Sequence, residues 1–305
     1  MHTLRKSESL FQQRRLALQG LSLGFASGLC SFDRVLARTI GEMRTVSVGG
    51  GITEIICALG YESCLVGVDT TSRYPASVHR LPSVGYARNL SLEGILSLAP
   101  DRVIVGKDAG PVSVLSRLAA TGVSVSCMDN DQSIDGLILN IKKVGELLNC
   151  PDRADALSRR LSLESIAVAE AVHSLENIFR VIFVLGQTPS QFMVAGTNTG
   201  ANTMLRYAGL HNAFSNFNGY RPVTAEGVIA AQPDLVVFAQ SDSLGLEGIR
   251  SNASFVVLMN ALSATPAALP ARWLVFDTMY LLGFGPRMPD AILTLHRAAI
   301  QAIRT

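Results

Sequence analysis

From Arg44 onward, short runs rich in Val, Ile and Thr alternate with stretches whose apolar residues recur at helical spacing. That alternation predicts α/β layers built on mostly parallel sheets. Thr45–Val48 predicts a strand that ends at Gly49-Gly50-Gly51, Thr53 to Leu59 a helix, and Leu65–Val68 a second short strand. Arg102–Val105 and Val123–Cys127 predict further strands, with Val112–Ala120 a helix between them. Past residue 176 the pattern restarts with a strand at Arg180–Leu185, a helix at Thr199–Ala208 and a strand at Leu235–Phe238.

An internal echo supports two similar halves. Leu92-Glu93-Gly94-Ile95 leads to Pro100-Asp101-Arg102-Val103-Ile104-Val105, and Ala225-Glu226-Gly227-Val228 leads in the same register to Pro233-Asp234-Leu235-Val236-Val237-Phe238. In each, a Glu-led helix stops before Pro-Asp and a β-branched strand follows. Proline disfavours helix in the residue before it, so this punctuation has a backbone cause. Between the halves, Pro151 to Leu175 keeps an apolar face (Ala154, Leu157, Leu161, Val168, Val172, Leu175) with no glycine. A proline suits a first helical turn. The segment predicts one rigid helix of about 37 Å, which permits only small adjustments between what it joins.

The first residues read differently. Arg5, Lys6, Arg14 and Arg15 precede an apolar run from Leu16 to Phe32, and Val35-Leu36-Ala37 offers compact residues at a cleavage position. Residues 1–37 therefore read as an export signal, marginal in length for a membrane span. Arg14-Arg15 fits a twin-arginine signal loosely, so the export route stays open, and a buried N-terminal helix is the alternative.

Composition narrows the functional classes. Of the 305 residues, 48% are hydrophobic and only 16% charged, with 26 Lys+Arg against 24 Asp+Glu, one Trp and 6% aromatics. That balance excludes a disordered chain and a polybasic nucleic-acid binder. Gly49-Gly50-Gly51 follows a strand, but Glu54 stands where a dinucleotide fingerprint needs its third glycine. No P-loop, G-x-S-x-G elbow or H-E-x-x-H is present, so an exported α/β enzyme has no visible machinery. Of the five histidines, His2 lies in the export signal and His79, His173, His211 and His296 are scattered, which argues against a zinc or manganese carrier. They read as surface or capping residues. Cys57, Cys64, Cys127 and Cys150 each sit in an apolar context, where free cysteine packs as a small core residue, with a disulfide as the alternative.

Local motifs carry a resemblance. Gly49-Gly50-Gly51-Ile52-Thr53-Glu54-Ile55, Thr71-Ser72-Arg73-Tyr74-Pro75, Leu81-Pro82-Ser83-Val84-Gly85-Tyr86 and Ala195-Gly196-Thr197-Asn198-Thr199 fall in order along the chain. Glu93-Gly94-Ile95-Leu96-Ser97-Leu98, Tyr220-Arg221-Pro222 with Glu226-Gly227-Val228, and Leu281-Leu282-Gly283-Phe284-Gly285 complete the set. Residues 44–305 thereby resemble the periplasmic haemin-binding proteins, within the wider group of iron-chelate and vitamin B12 carriers of ABC importers. The resemblance implies two Rossmann-like lobes, at residues 44–148 and 178–305, with mostly parallel sheets. One long rigid α-helix at 151–176 would join them, with the ligand cleft between. It implies a monomeric periplasmic carrier, not an enzyme and without a catalytic cofactor. That carrier would deliver haem b in its Fe(III) form to a dimeric inner-membrane permease with a cytoplasmic ATPase. A ferric siderophore or vitamin B12 is the alternative ligand.

The same resemblance assigns residues. Tyr74, on a segment stiffened by Pro75, is expected to ligate ferric iron through its phenolate, a hard anionic oxygen suited to Fe(III). A free phenol has a pKa of about 10, so the anion needs the metal and nearby positive charge. Arg73 is adjacent, and Arg221 corresponds to a family arginine expected near the phenolate. Arg73, Arg88 and Arg221 are candidate propionate partners. Tyr220, Phe192, Met193, Met279 and Tyr280 are candidate walls. Where some members carry a second-lobe histidine ligand, the alignment places Gln187, which implies five-coordinate iron or a weak sixth ligand. Glu93 and Glu226 match the paired glutamates that meet permease arginines; a carboxylate favoured at a helix N-terminus explains their position equally well.

Overall fold

The computed structural model describes residues 43–173, 179–188, 191–240, 249–250 and 255–304. The segment read as an export signal lies outside the described residues. Strands β1 (Thr45–Val48), β2 (Leu65–Val68), β5 (Arg102–Gly106) and β6 (Ser124–Met128) form a wholly parallel sheet in the order β2-β1-β5-β6. Helices α1 (Gly50–Ala58), α2 (Leu92–Leu96), α3 (Val112–Ala120) and α4 (Ile134–Leu147) are interleaved with those strands, and a small hairpin pairs β3 (Gly85–Tyr86) with β4 (Asn89–Leu90). The second sheet runs β10-β8-β7-β11-β12, built from β7 (Arg180–Thr188), β8 (Gln191–Ala195), β10 (Tyr220–Pro222), β11 (Leu235–Gln240) and β12 (Trp273–Asp277). A short β9 (His211–Asn212) also pairs with β7.

The second sheet is less parallel than the sequence pattern predicts. β7, β11 and β12 run parallel, but β8 is antiparallel to both β7 and β10. The cause is length: a parallel return needs a crossover of about a dozen residues, and only residues 189–190 separate β7 from β8.

Period-two alternation splits each sheet between two apolar layers. Val103 and Val105 face a cluster with Ile95 and Leu118, while Ile104 faces the other side. Likewise Ile182 and Val184 pack with Val228 and Leu258, whereas Val181 and Phe183 join Ile104 in one continuous core that spans both lobes. Burial on both faces is what strands of parallel layers require.

The joining helix α5 (Pro151–His173) has 23 residues, roughly 34 Å at 1.5 Å per residue, and packs on α4 and on the C-terminal helix α10 (Met288–Arg304). Ala154, Leu157, Leu161, Val168 and Val172 are buried as the pattern predicts; Leu175 lies outside the described residues. A Cβ on Gly145 would run into Ala154, so the glycine lets α4 and α5 approach closely.

The internal echo is a structural equivalence. Ser91 Oγ accepts the Gly94 N–H at 3.1 Å ahead of α2, and Thr224 Oγ1 accepts the Gly227 N–H at 3.2 Å ahead of α7 (Ala225–Ala231). Asp101 accepts the backbone N–H of Arg44 at 2.7 Å, and Asp234 that of Arg180 at 2.8 Å. Each carboxylate thus ties its loop to the start of the neighbouring strand. The residues before the two prolines, Ala99 and Gln232, both leave the helix in the left-handed region at φ 43°, not in the extended region that proline favours.

Cys64 and Cys150 are buried, Cys57 is half-buried, and all four described cysteines are free. Cys127 departs from the core expectation: it is exposed on β6.

Candidate functional site: the inter-lobe cleft

The order β2-β1-β5-β6 reverses between β1 and β5, and in open α/β sheets ligands gather at the carboxyl ends of strands at such a switch point. There, Gly49–Ile52 after β1, Lys107 after β5 and Asp129–Gln132 after β6 face Met279 and Leu282–Phe284 of the second lobe across a cavity of about 260 Å³. Ligand pockets usually span roughly 300–1,000 Å³, so a bulky ligand would also occupy the open rim.

Tyr74 stands on a loop organised by Asp69, at the end of β2. The Asp69 side chain, 2% exposed, accepts four hydrogen bonds: from Gly49 N–H (2.9 Å), Ser72 Oγ (2.7 Å), Thr71 N–H (3.0 Å) and Thr71 Oγ1 (2.6 Å). Thr71 Oγ1 in turn accepts the Gly50 N–H at 3.0 Å. The turn after β1 and the loop after β2 are thereby one hydrogen-bonded unit. Gly49 holds φ +121°, a conformation other residues rarely adopt. His79 fits its capping role, with Nε2 2.8 Å from the carbonyl of Arg73. Tyr74, 46% exposed, is joined to Pro75 by a cis peptide.

The arginine on Tyr74 is Arg287, which the sequence reading missed. Its guanidinium lies 3.8 Å from the Tyr74 ring centroid and 5.2 Å from that of Tyr280. Arg287 also donates from Nε to Glu54 Oε2 (3.0 Å) and from an Nη to Glu54 Oε1 (2.6 Å). The pair crosses between lobes: Glu54 is on α1 and Arg287 immediately precedes α10. Burial pushes the Glu54 carboxyl above its ordinary range although Arg287 opposes it. Burial also works against the Arg287 cation, but the hydrogen bonds and charge of Glu54 outweigh it and raise its pKa. A signal existed in the sequence, Pro286-Arg287 directly after Leu281–Gly285, but the partner of Arg287 is 233 positions away.

The other predicted residues divide. Arg88 lines the cavity, 3.5 Å from Asp108, and Arg73 is exposed beside Tyr74. Tyr220 and Arg221 are neighbours on β10, so strand alternation sends them to opposite faces. Tyr220 is packed against the core that spans both lobes, and burial raises its pKa against hydrogen bonds from Ala201 and Thr199 and the charge of Arg88. Arg221 instead lies over the Phe217 ring, 4.6 Å from its centroid, in a separate recess with Arg180 and Phe214. It is not the arginine that covers Tyr74. Phe192 is a core residue, 1% exposed and edge-on to Phe238, not a wall. Met279 lines the cavity, and Met193 packs on the core. Tyr280 donates its hydroxyl to Asp290 at 2.6 Å, and burial with that bond pushes its pKa up to about 12. Gln187 belongs to β7, at the irregularity between Gly186 and Thr188; its side chain lies outside the described residues. Glu93 and Glu226 are both exposed in the first turns of α2 and α7, at equivalent places in the two lobes.

Two α/β lobes on one rigid helix, with a recess at the switch point between them, define a two-lobed ligand carrier. The chain belongs to the periplasmic binding protein family, whose model matches residues 46–269. That is a family of exported substrate-binding transport proteins, not enzymes. Among solved structures, the chain is 37% identical to the periplasmic heme-binding protein BhuT in complex with two hemes, with a TM-score of 0.78 over 86% of this chain and 99% of that one. It is 27% identical to the vitamin B12-binding protein of Vibrio parahaemolyticus over 68% of this chain and 74% of that protein. It is also 26% identical to an uncharacterized ABC transporter substrate-binding lipoprotein, YvrC, of Bacillus subtilis. That alignment covers 64% of this chain and 62% of the lipoprotein, less than two thirds of its length. Among the described residues no helix is long and apolar enough to cross a membrane.

Proposed function

We propose that this protein is a periplasmic haem carrier that binds haem b as Fe(III) in the inter-lobe cleft through the Tyr74 phenolate and hands it to an ABC permease. The observation that carries the reading is Tyr74 itself: a half-exposed phenol, three residues past the cavity-lining Thr71, with a guanidinium 3.8 Å from its ring. Positive charge beside the ring is what an anionic oxygen ligand calls for. The likeness to BhuT supports haem as the cargo. Tyr280 is a poor competitor as ligand, because its hydroxyl is committed to Asp290. Arg73 and Arg88 are cations available to propionates, with Tyr220 and Met279 as apolar surface; Arg221 faces elsewhere. By the resemblance, Gln187 is at most a weak sixth ligand. Glu93 and Glu226 serve as matched docking charges toward a dimeric permease with its ATPase, setting orientation and encounter more than affinity. Export by a cleaved leader and a monomeric carrier complete the proposal.

Haemin titration followed by visible absorption tests it. A saturable ferric-tyrosinate spectrum that disappears in Tyr74→Ala is expected. An unchanged spectrum and affinity in Tyr74→Ala would overturn the ligand assignment. The vitamin B12-binding relative favours a second reading, corrinoid or siderophore carriage, which saturation by those ligands and not by haemin would establish.

A further inference from the structure

We infer that Arg287 is the positioning residue for the Tyr74 ligand, clamped by Glu54, so that ligand geometry in the first lobe depends on a contact made by the second. The inference rests on the proposed haem-carrier reading.

Arg287 donates two hydrogen bonds to Glu54, at 3.0 and 2.6 Å, in the two-pronged geometry that fixes a planar guanidinium. Glu54 is only 5% exposed at its side chain and Arg287 26%, so water competes little for the pair. A Cβ on Gly285 would stand 2.9 Å from Glu54 Oε2, so a glycine there leaves the carboxylate its place. With its orientation set, the guanidinium covers the face of Tyr74, which stays 46% exposed. A cation over the ring face restrains ring rotation. The surrounding groups do not replace it. Asp277 adds negative charge, and Tyr280 is bonded to Asp290. Arg73 is exposed, and His79 is engaged with the Arg73 carbonyl. Among the described residues no second cation lies over the Tyr74 ring, and Arg287 acts across the lobe boundary.

The test compares wild type, Tyr74→Phe, Arg287→Ala, Arg287→Lys and Glu54→Gln in haemin titrations, with urea unfolding recorded for each. If wild type gives no ferric–phenolate charge-transfer band, or Tyr74→Phe leaves it unchanged, the haem-ligand reading itself fails. Provided that band is present and lost in Tyr74→Phe, Arg287→Ala is expected to weaken haemin binding about tenfold. Its charge-transfer band should also move to longer wavelength, because a phenolate without its cation is the better electron donor. Arg287→Lys, which keeps the charge but not the fork, should recover part of the affinity, and Glu54→Gln should fall between them. Wild-type affinity and band in Arg287→Ala would overturn the inference. So would losses of affinity that track unfolding stability while the band stays in place. Should Arg287→Ala not fold, an Arg287→Lys band and affinity identical to wild type would likewise overturn it.

Discussion

Asp69 Oδ1 accepts the backbone N–H of Gly49 at 2.9 Å, joining the ends of the neighbouring strands β1 and β2. Through this one carboxylate, the Gly49-Gly50-Gly51 turn and the Tyr74 loop have a common origin. The glycine run is therefore a packing device and not a phosphate cradle. Gly49 supplies a positive φ, while a Cβ on Gly51 would run into the carbonyl of Gly283 in the second lobe.

Replacing Asp69 should be costly. Asp69→Ala leaves four donors without their acceptor in a largely dry place, at about 1–3 kcal/mol for each that finds no water. We expect a loss of about 3 kcal/mol in urea unfolding and weakened ligand binding, since the Tyr74 loop loses its anchor. Asp69→Asn keeps one carbonyl acceptor and should lose less on both readouts. Equal stability of Asp69→Ala and wild type would show that the loop is held by something else.

Gly51→Ala is expected to act between the lobes. Its methyl meets backbone, which yields less readily than a flexible side chain, so the lobes must shift apart or the turn must bend. Overpacking of this kind costs about 1–3 kcal/mol. A lowered melting temperature together with reduced ligand affinity is the expected pair of results, and an unaffected melting temperature counts against the close approach.

How much of this was legible beforehand depends on the range of the contact. Strands such as Thr45–Val48 and helices such as Val112–Ala120 fall where their own residues placed them, because periodicity and proline act locally. The Glu93 and Glu226 echo was legible for the same reason, since Ser91 and Thr224 cap within three residues. The antiparallel return of β8 was missed because a two-residue connection leaves no pattern of its own. Asp69 sat unmarked in Val68-Asp69-Thr70-Thr71, since nothing in the sequence says which N–H groups its carboxylate will meet. Arg221 and Arg287 are the sharpest contrast. The resemblance placed Arg221 near Tyr74, but alternation on β10 turns it to Phe217, and Arg287 reaches Tyr74 from 213 positions downstream.

Alkaline titration should single out Tyr280. Its folded pKa is raised to about 12 by burial and by donation to Asp290, against about 10 for a free phenol. A raised pKa means that the stabilising contribution is fully present below about pH 10 and is lost as pH rises through about 12, because the unfolded chain gives up the proton first. Following tyrosinate absorbance of the folded protein, Tyr280→Phe should remove an ionisation near the top of the range. It should also flatten the fall in stability between those limits. An ordinary phenol titration at Tyr280 would contradict the Asp290 hydrogen bond.

Docking is tested by charge reversal at the matched positions. Glu93 and Glu226 are exposed, each in the first turn of a capped helix, so replacing either should leave the fold nearly intact. The lost interaction of a carboxylate with the helix N-terminus is worth about 0.3–1 kcal/mol, small beside the stability of a domain. If both charges meet permease arginines, Glu93→Lys and Glu226→Lys should each slow ligand transfer to a reconstituted transporter, most strongly at low salt. The double variant should slow it further, while haemin affinity stays at the wild-type value. If the carboxylates serve only their own helices, transfer stays at the wild-type rate and stability alone falls slightly. The two roles therefore separate on one pair of measurements, transfer rate against unfolding free energy.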